Sequence, residues 1–196
     1  MTSPKVVAAM GREYDAGVPL LPGADAAVRH MADRAPLGLA SSSPRQLIDR
    51  VLQVTGWAPL FAVTRSTEEV ARGKPAPDVY VDVVAALGVA PGDAVAVEDS
   101  TNGVRAALAA GLHVVAVPRP EYPVDPEVLD RAAAVLDDLA GLTRLAPPYG
   151  GGGVGPVCGA QESCPPGRPT LTGRRAGAEG RGRRHAPAAA GREEEP

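Results

Sequence analysis

At 196 residues the chain has room for one domain, or one domain with an appendage. Hydrophobic residues make up 44% of it, but the aromatics are only Tyr14, Trp57, Phe61, Tyr80, Tyr122 and Tyr149, so Ala, Val and Leu must build any core. A net charge of −3, with lysine only at positions 5 and 74, excludes a general nucleic-acid binder, which needs clustered Lys and Arg, and apolar runs such as Val83–Leu87 fall far short of the ~20 residues that span a bilayer.

In chain order, helical patterns fall at Ala24–Asp33, Pro44–Val54, Pro77–Leu87 and Gly103–Ala110, with a short helix from Asp125. Between them lie short β-rich runs at Leu37–Ala40, Leu60–Val63, Ala94–Val97, Val114–Val117 and Ala133–Leu136. Strands alternating with helices predict βαβ units, hence an α/β fold with a parallel, Rossmann-like sheet. The strand runs are apolar throughout, the pattern expected when helices cover both faces of the sheet.

Composition changes at Leu145. Residues 1–145 carry 13 basic and 18 acidic side chains, net −5, whereas residues 146–196 carry 7 Arg and 5 Glu, net +2. Those last 51 residues hold 12 Gly and 8 Pro, and Val154, Val157 and Leu171 are their only aliphatics larger than Ala. So little apolar surface cannot offset roughly 1–2 kcal/mol of backbone entropy per residue, and the segment reads as a disordered tail. Its bias resembles a G+C-rich gene read in a shifted frame. Cys158 and Cys164 lie in this tail at a C-x5-C spacing that fits neither a zinc site nor a redox motif. With no cysteine in the body and no charged-then-apolar leader, the body reads as cytoplasmic.

In an open parallel sheet, ligands bind beyond the carboxyl ends of the strands. Three segments there carry chemistry. Ser41-Ser42-Ser43-Pro44 follows the strand at Leu37–Ala40, and it reads either as a helix cap, with Ser43 at the N-cap and Pro44 in the first turn, or as an anion site built on free helix N–H groups. Gly73-Lys74-Pro75-Ala76-Pro77-Asp78 fixes an ammonium in a stiffened loop, either as a solvated cation or as a group suited to neutralising a phosphoryl oxygen. Glu98-Asp99-Ser100-Thr101-Asn102-Gly103 ends a strand with two adjacent carboxylates. A helix cap explains Asp99 or Ser100 but not Glu98, whereas carboxylates with water and a substrate phosphate are how Mg²⁺ is usually held. His30 and His113 read as surface and strand-start residues.

S-S-S-P-R, G-K-P-A-P-D-V-Y and V-E-D-S-T-N-G-V, in this order and at these intervals, resemble motifs two, three and four of the haloacid dehalogenase superfamily, and most of all its β-phosphoglucomutase-like phosphatases and mutases. The resemblance runs from about Val18 to Leu142. It implies a Mg²⁺-dependent enzyme acting on a small phosphorylated metabolite through a phospho-aspartate. By that resemblance Ser41 and Lys74 would be catalytic, Ser41 as hydrogen-bond donor to the transferring phosphoryl group and Lys74 as its neutralising charge. Ser42, Ser43 and Asn102 would line the substrate side, and Asp99 would ligate Mg²⁺ with Glu98 on the metal or one water away.

The family's nucleophile is an Asp in a D-x-D-G-T motif that ends its first strand, and no such motif occurs here. The expected division is therefore residues 1–16 as the end of a helical cap, 17–145 as a core with motifs two to four, and 146–196 as tail. The resemblance also places the absent strand between those bearing motifs two and four, so a gap is expected in the sheet. The chain as written is expected to be inactive. A non-catalytic phosphate- and Mg²⁺-binding domain is the alternative, and a receiver-like signalling domain fits less well because its acidic pair comes early in the chain.

Overall fold

The computed structural model describes residues 3–145. The expectations about the tail, including Cys158 and Cys164, lie outside the described residues. Helix α1 (Pro4–Ala16) is followed by α2 (Ala24–Ala32), strand β1 (Leu37–Ser41), α3 (Arg45–Thr55), β2 (Phe61–Ser66) and α4 (Asp78–Leu87). Then come β3 (Val95–Glu98), α5 (Thr101–Ala109), β4 (His113–Ala116), α6 (Pro126–Leu129), β5 (Ala134–Val135) and a closing 3₁₀ turn over Leu139–Arg144. Every strand pair is parallel, as the alternation of strand and helix requires.

The strands form two sheets, β1-β2 and β3-β4-β5, rather than one. Ala94 and Glu98 turn their carbonyls to β4, accepting from His113 and Val117. In a parallel pair successive residues alternate direction, so Val95 and Val97 point their backbone groups away from β4, and β3 is an edge. The expected break between the strands of motifs two and four is present as this pair of free edges.

Two apolar clusters hold the sheet of β3, β4 and β5. One face packs Ala96, Val114 and Ala116 against Val79, Tyr80 and Val84 of α4 and Val104, Ala106 and Ala107 of α5. The other sets Val115 against Ala27 of α2 and Leu142 of the closing turn. The coverage of both faces read from the apolar runs is incomplete: Val97 is 40% and Val135 52% exposed. β3 alternates between buried and open positions, because the residues covering this second face do not reach its carboxyl end.

Helix α4 buries Val79, Tyr80, Val83 and Val84, a stripe at i, i+1, i+4 and i+5. Gly38 of β1 lets this helix come close, since a Cβ there would collide with Val83. α3 turns Leu47, Ile48 and Leu52 inward, and α1, with no fully buried residue, packs on α3 with Asp15 paired to Arg50. Just past α3, Trp57 donates Nε1–H to Asp25 of α2 at 2.9 Å.

β2 runs three residues beyond the expected Val63, into Thr64-Arg65-Ser66. Those polar residues have partners: Thr64 receives the Arg45 guanidinium, Arg65 pairs with Asp82 of α4, and Ser66 donates to the Ser43 carbonyl.

Val104 is fully buried. Val104→Ala should lower stability by roughly 2 kcal/mol, two lost carbons plus a residual cavity; urea unfolding measures this, and a change near zero would show a core that collapses onto the space.

Candidate functional site

Lys74 lies in the connection between β2 and α4, and its peptide bond to Pro75 is cis. Its ammonium reaches across to both sheets. Nζ donates to the carbonyl of Ala40 in β1 at 3.1 Å and to Glu98 Oε1 at the end of β3 at 2.5 Å. Both side chains are almost fully enclosed, at 9% and 7% exposure. The ammonium also lies 3.3 Å from the Tyr80 hydroxyl and 4.8 Å from the centre of its ring. Lys74 thus meets β1 one residue before Ser41 and β3 one residue before Asp99, and the three segments singled out in the sequence converge at the carboxyl ends of the strands.

Glu98, which no capping role explained, takes part in a buried polar cluster. Oε1 accepts from Lys74 and from the Tyr80 hydroxyl, and Oε2 accepts from Ser100 Oγ at 3.3 Å. A buried carboxylate needs this much compensation. Burial, with the Glu98 charge beside it, holds the Tyr80 hydroxyl far above its ordinary value, so it remains a neutral donor. Room for the carboxylate comes from Gly103, where any Cβ would fall on the Glu98 oxygens.

Ser100 caps α5, its Oγ accepting the Gly103 N–H at 3.0 Å, which starts the helix at Thr101 rather than Gly103. Asp99 is exposed and accepts no hydrogen bond among the described residues, so its carboxylate is open to a ligand. Asn102 is likewise exposed, in the first turn of α5.

The serine loop departs from the capping expectation. Pro44, not Ser43, is the residue before α3, and no side chain caps that helix. Ser41 Oγ instead accepts the Ser43 N–H at 3.1 Å, folding the loop on itself, while Ser42 and Ser43 are exposed. The fully buried Ser66 pins this loop by donating to the Ser43 carbonyl at 2.7 Å. Ser66 also begins a capping box with Glu69, and Glu69 accepts from Arg45 Nη2 at 2.7 Å. The Arg45 guanidinium, helped by the Ser66 N–H, holds the Glu69 carboxyl below the usual range.

A groove of about 460 Å³ opens beside the acidic doublet, lined by Val97, Glu98 and Asp99 with Leu21, Pro118 and Arg119 among others. Neither Ser41 nor Lys74 lines it. Among the described residues no group of three or more His, Cys, Asp or Glu is placed to hold a metal.

Sequence reading missed Tyr80, Gly103, Ser66 and Arg45. Two of them left a signal: a tyrosine among inward valines needs a partner for its hydroxyl, and a glycine early in a helix marks a close approach.

A family profile of haloacid dehalogenase-like hydrolases matches residues 6–111, more than half of the chain. The chain belongs to this family. It is 41% identical over 130 residues to hexitol phosphatase B of Escherichia coli K12, across 65% of this chain and 56% of that protein. Among solved structures it resembles CbbY of Rhodobacter sphaeroides, crystallised with phosphate, at 30% identity and a TM-score of 0.56, over 62% of this chain and 55% of the other. A protein of Thermotoga maritima assigned as a β-phosphoglucomutase gives 29% identity and a TM-score of 0.56, over 63% and 58%. The chain thus spans little more than half the length of each of these three relatives. The haloacid dehalogenase-like fold agrees with the α/β architecture read from the sequence. Among the described residues no helix is long and apolar enough to cross a membrane.

Two expectations follow. Gly103→Ala should gain about 1 kcal/mol of helix propensity but lose roughly 3–5 kcal/mol by displacing half of a buried ion pair, so it should destabilise in a urea titration; a more stable variant would contradict the packing described. Glu69 is depressed in the fold, so its contribution is present above its unfolded value and is lost as pH falls. The thermal midpoint should therefore drop below about pH 5, and Glu69→Gln should flatten that slope.

Proposed function

We propose that the described residues form the phosphoryl-binding part of a Mg²⁺-dependent phosphatase or phosphomutase acting on small phosphorylated metabolites. The observation that carries this reading is the ammonium of Lys74, buried at the carboxyl ends of two strands between the Ser41 loop and Asp99. A fixed, desolvated cation of this kind interacts far more strongly with a phosphoryl group than one in water. The family and the names of its relatives, which include a hexitol phosphatase, support the substrate class.

In this reading Ser41 donates a hydrogen bond to the phosphoryl group and Lys74 offsets its charge. Ser42, Ser43 and Asn102, all exposed around the same strand ends, face the rest of the substrate. Asp99 offers a free carboxylate and Glu98 a second one already engaged, a set that suits Mg²⁺, which takes one or two carboxylates and fills its remaining positions with water and phosphate. Bound there, Mg²⁺ would supply charge neutralisation at the phosphoryl oxygens.

The 196 residues contain no D-x-D pair, and without a carboxylate nucleophile these groups position and stabilise but do not attack phosphorus. We therefore read the chain by itself as binding without turnover, with residues 1–16 as part of a cap and 17–145 as the core. That same absence favours the alternative of a non-catalytic phosphate- and Mg²⁺-binding domain.

Calorimetry with orthophosphate and Mg²⁺ tests the reading. Lys74→Ala should raise the dissociation constant roughly 10- to 100-fold, the loss of a charge-assisted hydrogen bond, while p-nitrophenyl phosphate with Mg²⁺ should stay unhydrolysed. Equal affinity in the two proteins would remove Lys74 from the site, and steady hydrolysis by the folded chain would overturn the claim of no turnover.

A further inference from the structure

Each oxygen of the Glu98 carboxylate has a neutral hydroxyl donor, Tyr80 on Oε1 and Ser100 on Oε2. Lys74 shares Oε1 with Tyr80. The ammonium is therefore not the carboxylate's sole support, which matters for a residue meant to serve a ligand. A buried carboxylate stripped of its cation is heavily penalised unless other donors remain on it. A lysine that alone satisfied Glu98 would be held there. The ring of Tyr80 adds a second element, since its face lies 4.8 Å from Nζ and offers the ammonium an attractive surface beside the carboxylate.

We propose that Tyr80 is a positioning residue that divides the Glu98 carboxylate with Lys74, leaving the ammonium free to turn towards a bound phosphoryl group. The inference rests on the phosphoryl-site reading above and adds a residue that the family resemblance did not single out. Tyr80 touches no substrate in this scheme and acts through Glu98. When Lys74 turns away, the tyrosine hydroxyl stays on Oε1 and the serine hydroxyl on Oε2, so neither oxygen is left bare. Without the phenol hydroxyl, Lys74 must stay on Oε1.

Tyr80→Phe keeps the ring and its volume and removes one donor. The dissociation constant for orthophosphate, measured with Mg²⁺ present, should rise about tenfold, in line with one hydrogen bond to a charged group. In a Glu98→Gln background there is no carboxylate to divide, so adding Tyr80→Phe should leave the affinity at whatever value Glu98→Gln alone gives. An effect of Tyr80→Phe that persists with Glu98→Gln would assign Tyr80 to general packing and overturn the proposal, as would no effect in either background.

A second readout needs no ligand and separates this proposal from the phosphoryl reading. Lys5 and Lys74 are the only lysines in the chain, and Lys5 is exposed, so acetylation by acetic anhydride followed by mass spectrometry compares the site with an internal standard. Relative to Lys5, Lys74 should react several-fold more slowly in Tyr80→Phe, and this slowing should vanish in the double variant with Glu98→Gln. If orthophosphate binding proves indifferent to Lys74→Ala, the phosphoryl reading fails while the acetylation ratio still decides the role of Tyr80; an unchanged ratio in Tyr80→Phe overturns it.

Discussion

The buried pair of Lys74 and Glu98 is the constraint on which the rest of the site depends. The sheet is split, so no backbone ladder joins the strand that ends in Ser41 to the strand that ends in Asp99. Their relation is set by side chains: the packing of α4 against β1, the cluster between α4, α5 and β3, and one ammonium bonded to both halves. An ion pair with this little water around it contributes less net stability than its short distance suggests, because desolvation offsets most of the attraction. Its worth is positional. Removing either side chain would bury the other's charge without its counter-ion, and on Glu98 only the Tyr80 and Ser100 hydroxyls would remain.

Around that pair, small residues and hydroxyls do the supporting work. Gly103 gives up side-chain packing and helix propensity so that a carboxylate can occupy its space. Ser100 both starts α5 and donates to Glu98, tying the helix terminus to the acid. On the other side Ser66 and Arg45 fix the Ser41 loop through a carbonyl and a carboxylate. Loops that bear binding groups are precise only when a scaffold holds them, and here the loop after β2 is that scaffold for the loop after β1.

Much of this was legible in the sequence because periodicity and motif spacing are local properties. The order of strands and helices followed from apolar runs and their punctuation, and the three motifs lie at strand ends that the Lys74 ammonium brings together. What was not legible depends on contacts across long separations. That Glu98 faces Lys74, 24 residues away, is a tertiary fact. The extension of β2 through Thr64-Arg65-Ser66 contradicts apolar patterning because each polar residue meets a partner from another element. Ser43 looked like a helix cap by residue type, yet the turn closed by Ser41 Oγ leaves Pro44 at that boundary instead. The exposure of Val97 and Val135 was hidden for a related reason, since an apolar run reports what a strand would tolerate and not what covers it.

The hydrogen bond from Trp57 to Asp25 has an optical consequence. Trp57 is the single indole of the chain, so its emission reports on one seam, where α2 meets the turn beyond α3. An indole that loses a partly buried carboxylate neighbour and gains water changes both the colour and the yield of its light. Fluorescence of this protein is therefore a local gauge, sensitive to the loosening of α2 and blind to events around Glu98 and Asp99 unless they propagate to that seam.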